Sequence, residues 1–164
     1  MRVLVVSDTH GRHTNLDQIL LEAGDIDMFV HLGDVEDGDV YINVVVECEK
    51  HIVGGNNDYF SHLPREEEFY IGTHKVYITH GHQYSVSYET ESIKKAGLAR
   101  NAEIVMFGHT HKPFLEVGEK ITLLNPGSVS YPRQKGRQAS YLILEMNEKG
   151  DISYQQHYLG SKKE

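Results

Sequence analysis

The sequence predicts an α/β fold in which two β-sheets pack against each other with helices outside them. Two observations predict this class. Short apolar runs rich in β-branched residues alternate with a helical pattern in the first half of the chain. From residue 67 onward, strand patterns follow one another with one helix among them, as in antiparallel sheets. The length of 164 residues suits one domain, predicted over 1–160 and followed by a loose tail at 161–164.

The first elements alternate between strand and helix. Residues 2–7 form a β-branched run typical of a buried strand. Apolar residues between 16 and 23 recur at helical spacing, and Gly24 can end that helix. Residues 28–32 predict a second buried strand. This order is that of a β-α-β unit.

A second crossover follows. Residues 39–47 have the composition of a strand, but their position between two strands favours a crossover helix, and we predict a helix there. Residues 51–53 predict a short third strand.

The second half predicts seven strands and one helix. Gly72-Thr73-His74 separates two strand patterns, which indicates a hairpin. Apolar and small residues at helical spacing predict the helix over 89–100. The predicted strands are 67–71, 75–79, 103–107, 114–117, 120–124, 139–146 and 151–158.

Composition excludes several classes of protein. The net charge of −8 argues against broad binding to a nucleic acid backbone, which needs a basic surface. No apolar run approaches the roughly 20 residues of a membrane span. Cys48 is the one cysteine of the sequence, so no intrachain disulfide and no cysteine zinc site can form. This cysteine usage indicates a reducing, cytoplasmic setting.

Metal-binding side chains directly follow five of the predicted strands. The carboxyl ends of strands in open α/β sheets converge on one crevice, so we expect these side chains to meet. On an extended segment, residues two apart such as Asp8 and His10 point to the same side. Glycines beside the ligands carry no Cβ and let the backbone approach the site. The seven candidates are Asp8, His10, Asp34, Asn56, His80, His109 and His111.

Seven carboxylate, imidazole and amide groups in one small volume require cations, because like charges repel and buried charges need partners. One ion takes roughly four to six ligands, so the set suits two ions that share Asp34 as a bridge. Mixed oxygen and nitrogen ligands without thiolate favour transition metals over Ca²⁺ or Mg²⁺ alone. We expect two divalent metal ions, with Mn²⁺ ahead of Ni²⁺, Zn²⁺ or Fe.

The remaining histidines of the 11 have ordinary interpretations. His31 lies inside an apolar strand and is predicted to be a core histidine with a backbone partner. The others are predicted to be surface residues: His13, His51, His62, His74 and His157.

The series of strand-end motifs resembles the calcineurin-like metallophosphoesterase superfamily. The motifs are Asp8-x-His10, Gly33-Asp34, Gly55-Asn56-Asn57-Asp58, His80-Gly81-His82 and Gly108-His109-Thr110-His111. Each motif alone is common, whereas five in this order are specific. The short chain and Asn125-Pro126-Gly127-Ser128 are similar to small bacterial and archaeal phosphodiesterases of the YfcE type.

This resemblance implies a four-layer α/β/β/α sandwich of two mixed sheets with flanking helices. It implies a dinuclear site in which a hydroxide bridging the ions attacks the phosphorus of a small phosphate ester. The implied ligands are Asp8, His10, Asp34 and His111 for the first metal, and Asp34, Asn56, His80 and His109 for the second.

One position departs from the family pattern. Many superfamily phosphatases carry a catalytic histidine after the ligand asparagine, where this chain has Asn57. Asn57 can donate a hydrogen bond but cannot supply a proton, which favours activated phosphodiesters over monoesters. His82 is a candidate acid or substrate contact, and Asp58 is a candidate for orienting a ligand or loop. Arg12 and Arg133 are candidate phosphate contacts.

Three other functions stay open at this point. A scaffold protein could have the fold without the chemistry, although none of the seven ligand positions is lost here. A mononuclear iron oxygenase would use two histidines and a carboxylate, and leaves four candidates unexplained. A nuclease acting on long polymers is disfavoured by the charge. We therefore expect a small phosphate-ester substrate and no membrane partner. A homo-oligomer stays open, since exposed strands at 139–146 or 151–158 could pair between chains.

Overall fold

Two five-stranded sheets form the centre of the molecule in the computed structural model, which describes residues 1–161. Of the predicted tail, Ser161 is exposed and residues 162–164 lie outside the described residues. In chain order the elements are β1 (Arg2–Val6), α1 (Thr14–Ala23), β2 (Met28–His31), α2 (Asp39–Val45), β3 (Glu49–Ile52), β4 (Glu66–Ile71), β5 (His74–Thr79), a 3-10 helix (His82–Tyr84), α3 (Glu91–Ala99), β6 (Ile104–Met106), β7 (Pro113–Val117), β8 (Thr122–Pro126), β9 (Ser140–Met146) and β10 (Ile152–Tyr158).

Both sheets are mixed. The first sheet has the strand order β10-β9-β1-β2-β3, and the second has the order β4-β5-β6-β8-β7. In the first sheet β1, β2 and β3 run parallel, whereas β9 and β10 pair antiparallel. In the second sheet β5, β6 and β8 run parallel between the antiparallel edge strands β4 and β7.

The main core lies between the two sheets. Successive residues of a strand point to opposite faces, so Val3 and Val5 of β1 face the second sheet, where they join Val76 and Ile78 of β5 in one buried cluster. Burial of each such side chain stabilises the fold by roughly 1.5–3 kcal/mol. This apolar layer fixes the two sheets against each other.

Helices cover the outer faces of both sheets. Leu16 and Ile19 of α1 pack with Leu4 on the outside of the first sheet. Ile93 of α3 packs with Tyr77 on the outside of the second sheet. The layers are therefore helix, sheet, sheet and helix, which confirms the predicted four-layer sandwich. None of the helices within residues 1–161 is long and apolar enough to cross a membrane.

The prediction of a helix at 39–47 is confirmed in type, with α2 covering residues 39–45. Its β-branched composition is overridden by position, because parallel β2 and β3 need a crossover between them. Ile42 is the residue that α2 buries, while Val40 and Val44 are 70% and 75% exposed.

The second half of the chain is not the antiparallel unit that its strand pattern suggested. β9 and β10 follow the second-sheet strand β8 along the chain but belong to the first sheet, where β9 pairs with β1. The 3-10 helix was not predicted, because three residues are too short for a periodic signal.

The prediction that His51 is a surface residue was wrong. Its side chain is buried and stacks on Phe69 with ring centroids 3.7 Å apart. Nδ1 lies 2.7 Å from Glu67 Oε1, and Nε2 lies 3.1 Å from Glu49 Oε1. A three-residue strand pattern does not determine which face its histidine occupies. His62 is exposed, and the other predicted surface histidines are half-buried: His13, His74 and His157.

Candidate metal centre

The seven predicted ligands all lie in loops that follow β1, β2, β3, β5 and β6. The Asp-x-His prediction required extended backbone at Asp8 and His10, but these residues do not have it. Five of the seven have left-handed φ values: Asp8 (57°), His10 (49°), Asp34 (54°), His109 (67°) and His111 (57°). Such backbone costs about 1 kcal/mol or more per non-glycine residue and persists only where the surroundings hold it.

Backbone hydrogen bonds hold the first two loops together. Asp8 N–H donates to the carbonyl of Gly33 at 3.0 Å, and His10 N–H donates to the carbonyl of Asp34 at 2.9 Å. The loops after the neighbouring parallel strands β1 and β2 are thus fixed as one unit. The tight turns at Asp8, His10 and Asp34 are a property of this pairing.

The first ligand group is Asp8, His10, Asp34 and His111, whose ligand atoms all lie within 4.8 Å of one another. His111 donates from Nδ1 to the carbonyl of Tyr131 at 2.8 Å. Its Nε2 faces Asp8 Oδ1, at 3.0 Å. A proton or a metal ion between these two atoms makes the contact favourable.

Asp8 gives the strongest indication that a cation fits. Its side chain is fully buried, and neither carboxylate oxygen accepts a hydrogen bond within the described part of the chain. His10 Nε2 is also buried without a hydrogen bond and lies 3.8 Å from Asp34 Oδ2. A buried carboxylate without donors is costly, and a metal ion would satisfy both groups.

A second group adjoins the first through Asp34. His80 Nε2 lies 3.4 Å from Asp34 Oδ2 and 3.0 Å from Asn56 Oδ1. His109 Nδ1 lies 2.9 Å from the same Asn56 oxygen. His80 Nδ1 donates to the carbonyl of Leu32 at 2.6 Å, so its Nε2 is left for a proton or a metal. The structure therefore brings all seven predicted ligands into one cluster.

The charges of Asp34 and His80 are coupled. Burial alone would raise the pKa of Asp34, but the hydrogen bond and charge of His80 and the donors of Asn57 lower it below its ordinary value. Burial alone would lower the pKa of His80, but Asp34 and Asp8 raise it. The metal-free site thus favours an ionised Asp34 beside a protonated His80.

Asp58 ties the loops after β2 and β3 together. Its carboxylate accepts the N–H groups of Val35, Glu36 and Gly55 at 3.1, 2.7 and 2.7 Å. Arg65 donates to the carbonyls of Gly55 and Asp58. Asp58 therefore contacts backbone and positions the loops that carry Asp34 and Asn56.

Gly55 packs directly against the carboxylate of Asp34. A Cβ at this position would collide with Asp34 Oδ1 and with its backbone nitrogen. The absence of a side chain lets the loop after β3 approach the ligand, as the sequence predicts for the glycines beside the site.

Asn57 and His82 occupy different surroundings. Asn57 donates from its backbone N–H and from Nδ2 to Asp34, both at 2.8 Å. The ring of His82 lies 5.5 Å from that of His80 and 6.1 Å from that of His109. Burial and the charge of His80 lower the pKa of His82. A neutral His82 therefore stands beside the ligand cluster, while Asn57 is engaged with Asp34.

His31 is a core histidine that contacts residues next to the candidate ligands. Gly33 N–H donates to its Nδ1 at 3.2 Å, so Nε2 carries the proton and donates to Thr9 Oγ1 at 2.9 Å. Burial lowers the pKa of His31 to about 4. The prediction of a core histidine with a backbone partner is confirmed.

The turn Asn125-Pro126-Gly127-Ser128 packs under the ligand loops. Asn125 Nδ2 donates to the carbonyl of Gly108 at 2.8 Å, and Ser128 Oγ donates to the carbonyl of Asp8 at 3.1 Å. Sequence reasoning missed Tyr131, whose carbonyl orients His111 and whose ring lies 5.0 Å from that of His10. Its position just after this turn is the one signal that could have indicated it.

Two cavities flank the ligand cluster. One, of about 420 Å³, is lined by His10, His111, Tyr131, Pro132, Arg133 and Arg137. The other, of about 550 Å³, is lined by Gly55, Asn56, Tyr59, Arg65, His82 and Gln83. A molecule held at the cluster can extend a substituent to either side.

Sequence comparison identifies relatives of this chain. Residues 1–149 match the calcineurin-like phosphoesterase superfamily domain. A probable metallophosphoesterase of Methanothermobacter thermautotrophicus is 33% identical over 138 residues, which cover 81% of this chain and 80% of that protein. The phosphodiesterase YfcE of Escherichia coli K12 is 37% identical over 71 residues, which cover 43% of this chain and 34% of YfcE.

Structural comparison finds the same fold in solved proteins. A conserved protein from Streptococcus pneumoniae, described as a predicted phosphoesterase, gives a TM-score of 0.76 at 24% identity, covering 96% of this chain and 97% of that one. Vps29 from Entamoeba histolytica, crystallised with zinc, gives a TM-score of 0.76 at 23% identity, covering 98% and 100%.

Proposed function

The chain belongs to the calcineurin-like phosphoesterase superfamily, and from that premise we propose that it is a metal-dependent hydrolase of small phosphodiesters. One observation carries the proposal. The buried Asp8 carboxylate accepts no hydrogen bond in the described structure and faces His111 Nε2 at 3.0 Å. A metal ion bound between these groups would satisfy both.

The proposed centre takes two divalent ions. Asp8, His10, Asp34 and His111 would hold the first, and Asp34, Asn56, His80 and His109 the second. The sharing of Asp34 between the two groups supports this assignment. Imidazole, carboxylate and amide donors suit Mn²⁺, Ni²⁺, Zn²⁺ or Fe, and Mn²⁺ is our first choice.

When bound, such ions neutralise the phosphate and activate a water molecule for attack on phosphorus. The chain's own residues supply orientation. Asn57 holds Asp34 through two hydrogen bonds, and Asp58 fixes the loops that carry Asp34 and Asn56. His82, with its lowered pKa, is a neutral group on the wall of the larger cavity, where it can contact the departing substituent.

Preference for activated esters follows from the shortage of a proton donor. A basic leaving group, such as an alkoxide, needs protonation in the transition state, and Asn57 cannot provide it. An ester with a weakly basic leaving group needs less help. The phosphodiesterase relative YfcE supports the choice of a diester.

The test compares bis-p-nitrophenyl phosphate with p-nitrophenyl phosphate, after loading the purified protein with Mn²⁺. We expect turnover of both, with the higher kcat/KM for the diester. Asp34→Asn should lower it by more than about 100-fold, because it weakens both metal groups. His62→Gln, which alters an exposed histidine away from the cluster, is the matched control.

A scaffold role is the second candidate, favoured by the structural likeness to Vps29. The two functions differ in a simple measurement. Equal background rates for wild type and Asp34→Asn with both esters, across Mn²⁺, Ni²⁺, Zn²⁺ and Fe²⁺, would reject the hydrolase and leave the scaffold. Metal bound at about one ion per chain would reject the dinuclear part of the proposal.

A further inference from the structure

The smaller cavity beside the ligand cluster is rich in arginine, and we call it the arginine cavity. It has a volume of about 420 Å³. His10 and His111 of the first ligand group form one wall, and Tyr131 and Pro132 form another. Arg133 and Arg137 also line it. Two members of the first ligand group and two arginines therefore line the same cavity.

The arginines around this cavity lack the carboxylate partners that Arg2 and Arg100 have. Arg2 pairs with Glu145 at 3.6 Å, and Arg100 pairs with Glu66 at 2.7 Å. Within residues 1–161, Arg12, Arg133 and Arg137 form no ion pair with a carboxylate.

Two of these three arginines line the cavity, and the third lies at its Tyr131 wall. The guanidinium of Arg12 lies over the ring of Tyr131, 4.8 Å from its centroid, and Arg133 and Arg137 line the cavity with that ring. In a chain of net charge −8, this is an unneutralised concentration of positive charge. Glu36 does not neutralise these arginines in the described structure, because its carboxylate lies 3.3 Å from His10 Nδ1 instead.

The larger cavity on the other side of the cluster has no free arginine among the described residues that line it. Its arginine, Arg65, is bound to the carbonyls of Gly55 and Asp58. Tyr59, which is 75% exposed, and Gln83 give that side an aromatic and neutral character. A diester has two substituents, and the two cavities therefore offer them different surroundings.

Guanidinium groups without partners bind phosphate strongly, through paired N–H donors in a plane. Resting on the proposed function, we infer that the arginine cavity binds a second phosphate of the substrate. The substrate class is then a phosphodiester in which one ester substituent carries a further phosphate group. Arg133 and Arg137 contact that group while the reacting phosphate lies at the ligand cluster.

Two substrates that differ by one phosphate test this inference. Thymidine 5′-(p-nitrophenyl phosphate) and its 3′-phosphorylated form release the same p-nitrophenolate. The Mn²⁺-loaded enzyme should show a kcat/KM about tenfold or more higher for the 3′-phosphorylated compound, since a hydrogen bond to a charged group contributes roughly that factor.

The ratio between the two substrates is the readout for variants. Arg137→Gln and Arg133→Gln should each reduce the ratio toward one. Arg133→Gln keeps the backbone hydrogen bond from its N–H to the carbonyl of His111, so only the guanidinium is removed. Lys149→Gln is the matched control, because it removes one positive charge from the β9–β10 turn. That turn lies at the opposite end of the first sheet from the ligands, and the control should keep the wild-type ratio.

The outcomes separate this inference from the function on which it rests. Turnover of both substrates with equal kcat/KM would overturn the second-phosphate site and leave the hydrolase intact. If neither substrate is hydrolysed, calorimetry on the Mn²⁺-loaded protein compares thymidine 3′,5′-bisphosphate with thymidine 5′-phosphate. An affinity gain above about tenfold that Arg137→Gln abolishes would support the site without the hydrolase. Equal affinities would overturn the second-phosphate site, and the hydrolase is then decided by turnover of bis-p-nitrophenyl phosphate.

Discussion

Asp8 and Asp34 are both buried aspartates in the ligand cluster, but their surroundings differ. Asp34 accepts two hydrogen bonds from Asn57, whereas neither oxygen of Asp8 accepts one in the described structure. Without metal, burial of the Asp8 carboxylate is offset only by its attraction to the nearby histidines, whereas Asp34 also has hydrogen-bond donors. This contrast is a property of single side chains and can be measured with two substitutions.

We predict that Asp8→Asn raises the free energy of unfolding of the metal-free protein by about 1 kcal/mol or more, because removing a buried charge that accepts no hydrogen bond from the described residues outweighs the lost attraction to His80. Asp34→Asn should lower it, because one new amide group would face the Nδ2 donor of Asn57. Urea unfolding at pH 8 with a chelator measures both. Equal destabilisation by the two substitutions would contradict the assignment of Asp8 as an unsatisfied charge.

A second residue-scale prediction concerns pH. Asp34 and Asp8 raise the pKa of His80 above its ordinary value, so the metal-free site holds a proton on the nitrogen that a metal would occupy. Metal affinity should therefore fall as pH drops through this raised pKa, by about tenfold per unit below it, and binding should release a proton.

Calorimetric titration with Mn²⁺ from pH 6 to 8, in buffers of different ionisation enthalpy, reports both affinity and proton release. His80→Asn should bind more weakly at pH 8 and should lose part of the pH dependence. An affinity that is flat across this range would show that no such proton competes with the metal.

The loops that follow the strands are the elements that build the site. Their ends are joined through Asp58, which accepts N–H groups from the loop after β2 and from its own loop after β3. A carboxylate with three backbone donors holds these loops in one conformation. The candidate ligands Asp34 and Asn56 are therefore placed by a residue that lies outside both candidate ligand groups.

We predict that Asp58→Asn lowers the free energy of unfolding by about 2 kcal/mol, since an amide group would face donors that the carboxylate satisfied. It should also weaken Mn²⁺ binding by about tenfold or more, because the ligand loops loosen. Asp25→Asn, at an exposed aspartate, serves as the control. A loss of stability with unchanged metal affinity would limit Asp58 to a structural role.

Sequence reasoning placed these elements well because strand ends carry a strong signal. Apolar runs that stop at Asp8, Asp34, His80 and His109 mark both the strand and its functional end. The backbone conformation of the loops could not be predicted from the sequence. Left-handed φ at non-glycine residues such as Asp8 arises from hydrogen bonds to a neighbouring loop, which residue type does not encode.

Over the whole molecule, the sequence predicted two sheets with helices outside but not how the strands are shared between them. β9 and β10 join the first sheet, more than a hundred residues along the chain from β1. Such pairing depends on burial of both faces of β1 and on the closing of the long loop, and neither is local information. The same limit hid the contact that His51 makes between the sheets.

His51 joins the two sheets at their edges. It lies on β3 of the first sheet and contacts Glu67 and Phe69 on β4 of the second. Burial alone would lower the pKa of His51, but Glu67 and Glu49 raise it above its ordinary value. The stabilisation by this pair is therefore fully present below the unfolded-state pKa of roughly 6.5 and is lost as pH rises through the raised folded-state pKa.

His51→Gln should consequently cost more stability at pH 6 than at pH 9, with a difference of about 1 kcal/mol for a partly buried ion pair. Urea unfolding of wild type and variant at the two pH values, with chelator present to exclude metal effects, measures it. His62→Gln, at an exposed histidine, should show no such difference. An equal cost at both pH values would mean that His51 joins the sheets through its stacking on Phe69 and that its charge contributes nothing.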